Sequence, residues 1–157
     1  MSEAAETALA VIEAKIGTEE GVGEWTEITQ KMISKFADLT DDHQFIHVDP
    51  EAAKSVGFPT TIAHGFLTLS MLTHLGASIP QDPQMFVGVA MGMNYGFDKV
   101  RFIAPVPNGS RVRCRSTLKA AEPKGDAIHL TRTFTMEIEG SEKPALVADW
   151  IVRMVYP

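Results

Sequence analysis

The chain has 157 residues, of which 45% are hydrophobic, and a formal net charge of −6. That length predicts one domain, residues 1–157, able to bury a core without disulfides or metal staples, and the acidic balance excludes general nucleic-acid binding. The single cysteine, Cys114, excludes an intrachain disulfide and fits a reducing compartment, so a cytoplasmic protein is expected.

Residues 1–6 are acidic and lack a basic stretch followed by an apolar run, so no signal peptide is expected. No run of about 18 apolar residues is free of polar breaks, and no membrane span is expected. Leu9, Ile12 and Ile16 give residues 6–16 a helical pattern that Gly17 ends. Residues 24–28 alternate and read as a short strand. Thr29 can then cap a helix over residues 30–39, with Met32, Ile33 and Phe36 at helical spacing. Residues 41–49 read as irregular backbone. Pro50 opens a short helix over 51–55, where its missing N–H is not needed.

Residues 66–75 contain no Lys, Arg, Asp or Glu. A helix apolar nearly all round belongs in a core, and about ten residues cannot cross a bilayer, so the rest of the chain must wrap it. The wrapping is the period-two alternation of the second half. In residues 86–98, Gly88, Ala90, Gly92, Asn94 and Gly96 alternate with larger apolar residues, which predicts one strand face stripped of side chains. Three further runs put Val112 to Ala120, Ile128 to Ile138 and Leu146 to Tyr156 on apolar faces, separated by turn sequences at 107–109, 123–126 and 140–144. Short connections make such strands antiparallel neighbours. The fold class is α+β, a long antiparallel sheet curled round one buried helix.

Two local features carry chemistry. Asp42 and His47 place a carboxylate and an imidazole in one loop, a pair able to hold or move a proton near neutrality; each alone also fits a turn or a hydrogen-bonded surface position. Gly65 follows His64 at the start of the apolar helix. The first N–H groups of a helix lack partners, and one aimed at a carbonyl stabilises an oxyanion; the glycine also fits simple tight packing. His43 and His47 stand at i, i+4, but no HExxH order and no nearby cysteine accompany them, so no metal is expected. No GxSxG elbow is present, which argues against a serine hydrolase. Between Asp98 and Lys119 the basic residues Lys99, Arg101, Arg111, Arg113, Arg115 and Lys119 face Asp98 alone. Such a strip is either a solvated strand face or a receiver for an anionic part of a ligand.

These residues resemble a known family. Phe36-Ala37-Asp38 leading to Asp42, then Ile46-His47-Val48-Asp49-Pro50, Ala53 and Ile62-Ala63-His64-Gly65-Phe66, look like the MaoC-like (R)-specific enoyl-CoA hydratases. The stretch 94–102, with Ala104-Pro105-Val106-Pro107 and residues 109–113, is similar to the nodulation-protein-N-like, single-domain branch. The resemblance spans roughly residues 25–155.

The resemblance implies the hot-dog fold, usually paired as a homodimer. It implies (R)-specific hydration of a trans-2-enoyl thioester, or the reverse dehydration, on acyl-CoA or an acyl-carrier-protein thioester. No cofactor is implied, coenzyme A being part of the substrate. It makes Asp42 and His47 catalytic and Gly65 the donor to the thioester oxygen. Further substrate-binding groups are expected at His64, Asn94, Arg101, Arg111 and Arg113, with the arginines toward the coenzyme A phosphates. One departure is that Gln44-Phe45 stands where the family pattern has Asn-Pro, which bears on the pocket wall. An acyl-CoA thioesterase and a non-catalytic acyl-thioester-binding protein are the alternatives, since the fold hosts both.

Overall fold

The computed structural model of the chain describes residues 1–156. In chain order the elements are α1 (Glu3–Glu13), β1 (Glu19–Val22), β2 (Thr26–Glu27), α2 (Gln30–Thr40), α3 (Phe45–Val48), α4 (Pro50–Ser55), α5 (Gly65–Ser70), α6 (Leu72–Ala77), a 3-10 turn (Pro83–Phe86), β3 (Met91–Phe102), β4 (Arg111–Lys124), β5 (Ala127–Ile138) and β6 (Leu146–Val155). The sheet is antiparallel throughout, in the order β1-β4-β5-β6-β3, with β2 also on β4. β3 is therefore an edge strand.

The apolar alternation of the long strands sets the inner face. Val112, Cys114, Leu118, Leu130, Phe134, Met136, Leu146 and Ala148 are all buried. Against these, apart from Leu118 and Leu130, pack Leu67, Leu72 and Leu75 of α5 and α6, which form the main core with Ile28 and Ile33. Gly76 lies beneath Phe134, whose ring atoms would stand 3.2 Å from a Cβ built there. Ala5, Ala8 and Ile12 of α1 make a second core with Leu118, Ile128, Leu130, Met154 and Tyr156 at the far end of the same face. Between the two cores Arg132 and Ser116 both donate to Glu20, and the Arg132 and Glu20 side chains are nearly inaccessible.

The structure revises several expectations. The helix of residues 66–75 is two short helices, α5 and α6, meeting at Met71. It is covered on one side only. Phe66, Ser70, Thr73, His74 and Ala77 are exposed because the sheet reaches a single flank. β3 begins at Met91, not near residue 86, and its small residues do not all share a face: Gly92 and Asn94 do, but Gly96 is turned to the other. Register shifts against β6, between Asn94 and Gly96 and between Phe97 and Lys99, break the alternation, since each extra residue turns the following side chains over. β1, which the sequence did not suggest, pairs with β4. Residues 41–49 are not wholly irregular, because His47 stands on the single turn α3.

Candidate active site

The pieces of the site are brought together by the ends of short elements. Thr29 caps α2 by accepting from Met32 N. α2 ends at Asp41, whose φ of 56 is left-handed, a conformation that aspartate tolerates better than most residues. The chain turns there, and Asp42 emerges exposed beside α3. Its Oδ1 accepts weakly from Gln44 N at 3.4 Å. Asp49 caps α4 through Glu51 N and Ala52 N, both at 3.0 Å, and so ends the turn that carries His47.

His47 is 6% exposed. Its Nδ1 lies 2.7 Å from the Ile62 carbonyl oxygen. A carbonyl only accepts, so Nδ1 carries the hydrogen and Nε2 is the bare acceptor of the neutral ring. Burial is the main cause that lowers the His47 pKa below its ordinary 6.5, and the neighbouring His64 adds to it, while the Ile62 hydrogen bond and Asp42 oppose. His64 is buried, and its Nε2–H donates to the Asp42 carbonyl at 2.9 Å. Its ring stacks on His47 with centroids 3.8 Å apart and planes at 24°.

A carboxylate oxygen of Asp42 and one ring nitrogen each of His47 and His64 lie within 4.8 Å of one another. The grouping has the ligand types of a metal site but a poor geometry for one. Imidazole lone pairs lie in the ring planes, and two nearly parallel stacked planes do not aim at one ion about 2.0–2.1 Å from each nitrogen.

His47 and Gly65 face a common cavity of about 350 Å³. Ile62, Ala63, Thr68, Ile103, Pro105 and Val106 are among its walls, which are mainly apolar. Gly65 is the first residue of α5, so its N–H has no partner in a preceding turn. A Cβ at Gly65 would meet the Phe102 ring at 3.1 Å. Asp42 is not among the walls; it is exposed and lies beside His47, which is.

The other expected binding residues are placed elsewhere. His64 sits behind His47 and does not line the cavity. Asn94 lines a separate groove with Leu69, Thr73, Phe97 and Trp150. Arg111 donates to Glu139 at 3.1 Å and Arg113 to Glu137 at 2.7 Å, on the sheet face opposite the helices; Arg115 is shared between Glu19 and Glu137. The basic strip is thus largely neutralised by acids on neighbouring strands. Arg101 has no carboxylate partner among the described residues, and its Nη1 donates only to the Val100 carbonyl. The sequence reading missed Thr68, whose Oγ1 donates to the Gly65 carbonyl at 2.7 Å inside the cavity wall. Its signal was its position three residues after Gly65 on the buried side of the helix.

The antiparallel sheet laid over α5 and α6, with the Asp42-His47 pair beside the cavity at the start of α5, defines a hot-dog protein of the dehydratase type. Residues 11–139 match the family described as MaoC like domain. The chain is 49% identical over 150 residues to 3-hydroxyacyl-thioester dehydratase Z of Mycobacterium tuberculosis, covering 94% of this chain and 95% of that one. It is 47% identical over 149 residues to Nodulation protein N of Rhizobium leguminosarum, covering 93% and 90%. It shares its fold with the MaoC-like dehydratase from Rhodospirillum rubrum, at TM-score 0.72 and 18% identity over 90% of this chain and 93% of that one. The (R)-hydratase from A. caviae superposes at TM-score 0.65 and 24% identity, over 87% and 96%. The chain belongs to the MaoC-like dehydratase family.

Proposed function

We propose that the protein is a hydro-lyase that interconverts trans-2-enoyl and (R)-3-hydroxyacyl thioesters. The observation that carries this is the enforced tautomer of His47. Its Nδ1–H is committed to Ile62, its Nε2 is bare, and it lies beside Asp42 on a mainly apolar cavity. The relative named 3-hydroxyacyl-thioester dehydratase Z, matched over nearly its whole length, supports the reaction class.

In the hydration direction His47 Nε2 accepts one hydrogen of a water and the Asp42 carboxylate accepts the other. The water oxygen bonds to C3 as the C2–C3 double bond gives way, and negative charge moves to the thioester oxygen. The Gly65 N–H stabilises that oxygen. The proton taken from water returns at C2 through the same pair, so no external acid or base is consumed. Dehydration uses the same groups in reverse. No step calls for a cofactor. Cys114 is no nucleophile here, because burial pushes its thiol up to about 12.

The thioester carrier is coenzyme A or an acyl carrier protein. Of the three arginines expected to meet its phosphate, Arg101 is the one without a carboxylate partner among the described residues, since Arg111 and Arg113 already hold glutamates. A homodimer is supported by β3, a 12-residue edge strand exposing Met91, Met93, Tyr95, Phe97 and Phe102. Among the described residues no helix is long and apolar enough to cross a membrane, and the free buried thiol supports a cytoplasmic setting.

The test is to mix purified protein with crotonyl-CoA, follow the conjugated enoyl absorbance, and monitor free thiol in parallel. Loss of absorbance without thiol supports the reading. Thiol release without hydration would make the protein a thioesterase, and no reaction across a series of chain lengths would make it a binding protein.

A further inference from the structure

We propose that Gln30 is a positioning residue for His47. Its side-chain amide ties the backbone of His47 to the segment bearing the Ile62 carbonyl, and so helps fix which ring nitrogen is bare. The inference rests on the role given to His47 above.

Gln30 is the first residue of α2, 17 positions before His47 and 31 before Thr61. Its Nε2 donates to the His47 carbonyl oxygen at 2.8 Å, and its Oε1 accepts from the Thr61 hydroxyl. The amide cannot be turned round. A carbonyl only accepts, so nitrogen must face His47 and oxygen is left for the hydroxyl. The second hydrogen on Nε2 reaches Ser34 Oγ at 3.2 Å. Thr61 is 1% exposed, and its own carbonyl accepts from Asn108 N at 2.9 Å.

Three links therefore join the His47 turn to the Thr61-Ile62 segment. Ile62 N donates to the Ile46 carbonyl at 2.9 Å, His47 Nδ1 donates to the Ile62 carbonyl at 2.7 Å, and Gln30 bridges from behind. Only the last can be altered without touching the imidazole or the main chain. Gln30 does not line the cavity. Nor does the start of α2 depend on it, since Thr29 provides the cap. What Gln30 holds is the pair of segments whose spacing sets the His47 to Ile62 hydrogen bond.

The test uses the full chain with Gln30→Glu, which keeps the shape and the acceptor but replaces the donor that faces a carbonyl. With crotonyl-CoA at neutral pH, kcat should fall about tenfold to a hundredfold while KM stays within about twofold, the scale on which small misplacements act. The ratio of variant to wild-type kcat should rise as pH falls, because the introduced carboxyl, once protonated, donates to the His47 carbonyl again. Thr61→Val should lower kcat in the same direction by less. With 15N-labelled histidine, the protonated Nδ1 of His47 should weaken in both variants. His47→Ala in the same assay separates the two readings. If it keeps the full rate, the role of His47 fails. If it is inactive while Gln30→Glu and Thr61→Val keep wild-type kcat, or change KM alone, the role of Gln30 is overturned. Should Gln30→Glu fail to fold, Thr61→Val and its spectrum decide.

Discussion

The His64 ring lies 3.8 Å from the His47 ring and donates its Nε2 hydrogen to the Asp42 carbonyl. One buried side chain thus touches both members of the acid/base pair, and its own backbone leads directly into Gly65. A second proton in this stack would set like charges face to face, which favours the neutral form of His47. His64, expected from the sequence to bind substrate, is placed instead to support the two residues that would act on it.

Asp42→Asn and His47→Ala should each lower kcat by about 10²–10⁴, the range for losing a positioned proton-transfer group. Asp42 is exposed and makes one weak hydrogen bond through its carboxylate, so its substitution should leave the melting temperature nearly unchanged. Steady-state kinetics with crotonyl-CoA, alongside thermal melts, checks both halves. A normal rate in either variant would remove that residue from the mechanism.

The pH dependence follows from the direction of two shifts. Burial is the main cause lowering His47 and also His129 from 6.5. The acid limb of kcat/KM should therefore lie below 6.5, since His47 stays neutral to lower pH than an ordinary imidazole. Stability moves the same way. Between the lowered folded values and 6.5 the unfolded chain binds more protons, so stability is full above 6.5 and falls as pH drops through that window. His43, raised above 6.5 by its hydrogen bond to Asp38, acts in the opposite sense, so the check is differential: between about pH 7.5 and 5.5 the melting temperature of His129→Gln, a change outside the site, should fall less than that of the wild type. An acid limb above 6.5 would contradict the buried neutral His47.

Much of the sheet is legible in the sequence. Asp42, His47 and Gly65 lie close enough in sequence to suggest a site, though each also fits a bland local role and only the family resemblance gives them functions; the alternation in β4, β5 and β6 shows because each has one buried face. β3 misled, because its two shifts exist only relative to β6, and a strand's own pattern does not reveal where its partner slips. The arginine strip misled for a similar reason. Arg113 faces Glu137 across β4 and β5, and the acids that neutralise it belong to a different run. The Gln30 bridge spans 31 residues between polar side chains, and such pairs leave no periodic trace. The exposed flank of α5 was hidden because composition tells how apolar a helix is, not how much of it one sheet can cover.

Gly65→Ala separates packing from chemistry at the helix start. The added Cβ would stand 3.1 Å from the Phe102 ring, but that residue is 49% exposed and its ring can swing outward. Alanine also favours a helix more than glycine does, by about 1 kcal/mol in helix interiors. The fold should therefore tolerate the change, with a melting temperature near that of the wild type. The methyl group would nonetheless narrow the approach to the Gly65 N–H, and kcat should fall about tenfold or more, as when a carbonyl loses close contact with its donor. Unchanged kcat with unchanged stability would mean that the thioester oxygen is held elsewhere.

The edge strand gives the last prediction. β3 pairs with β6 on one side and leaves its other row of N–H and C=O groups open, with Met91, Met93, Tyr95 and Phe97 exposed along it. Natural edge strands are usually short, charged or covered, because a long apolar edge is a template for another strand. This one spans 12 residues and runs past the uncovered flank of α5, where Phe66 is 68% exposed. A second copy laid against β3 would cover both features at once. Sedimentation velocity should therefore find a species of twice the 17.1 kDa chain mass. Met93→Lys, which places a charge in the middle of the edge without touching the cavity, should shift the population toward the single chain. A wild-type protein that sediments as a single chain at every concentration would show that the edge serves some other contact.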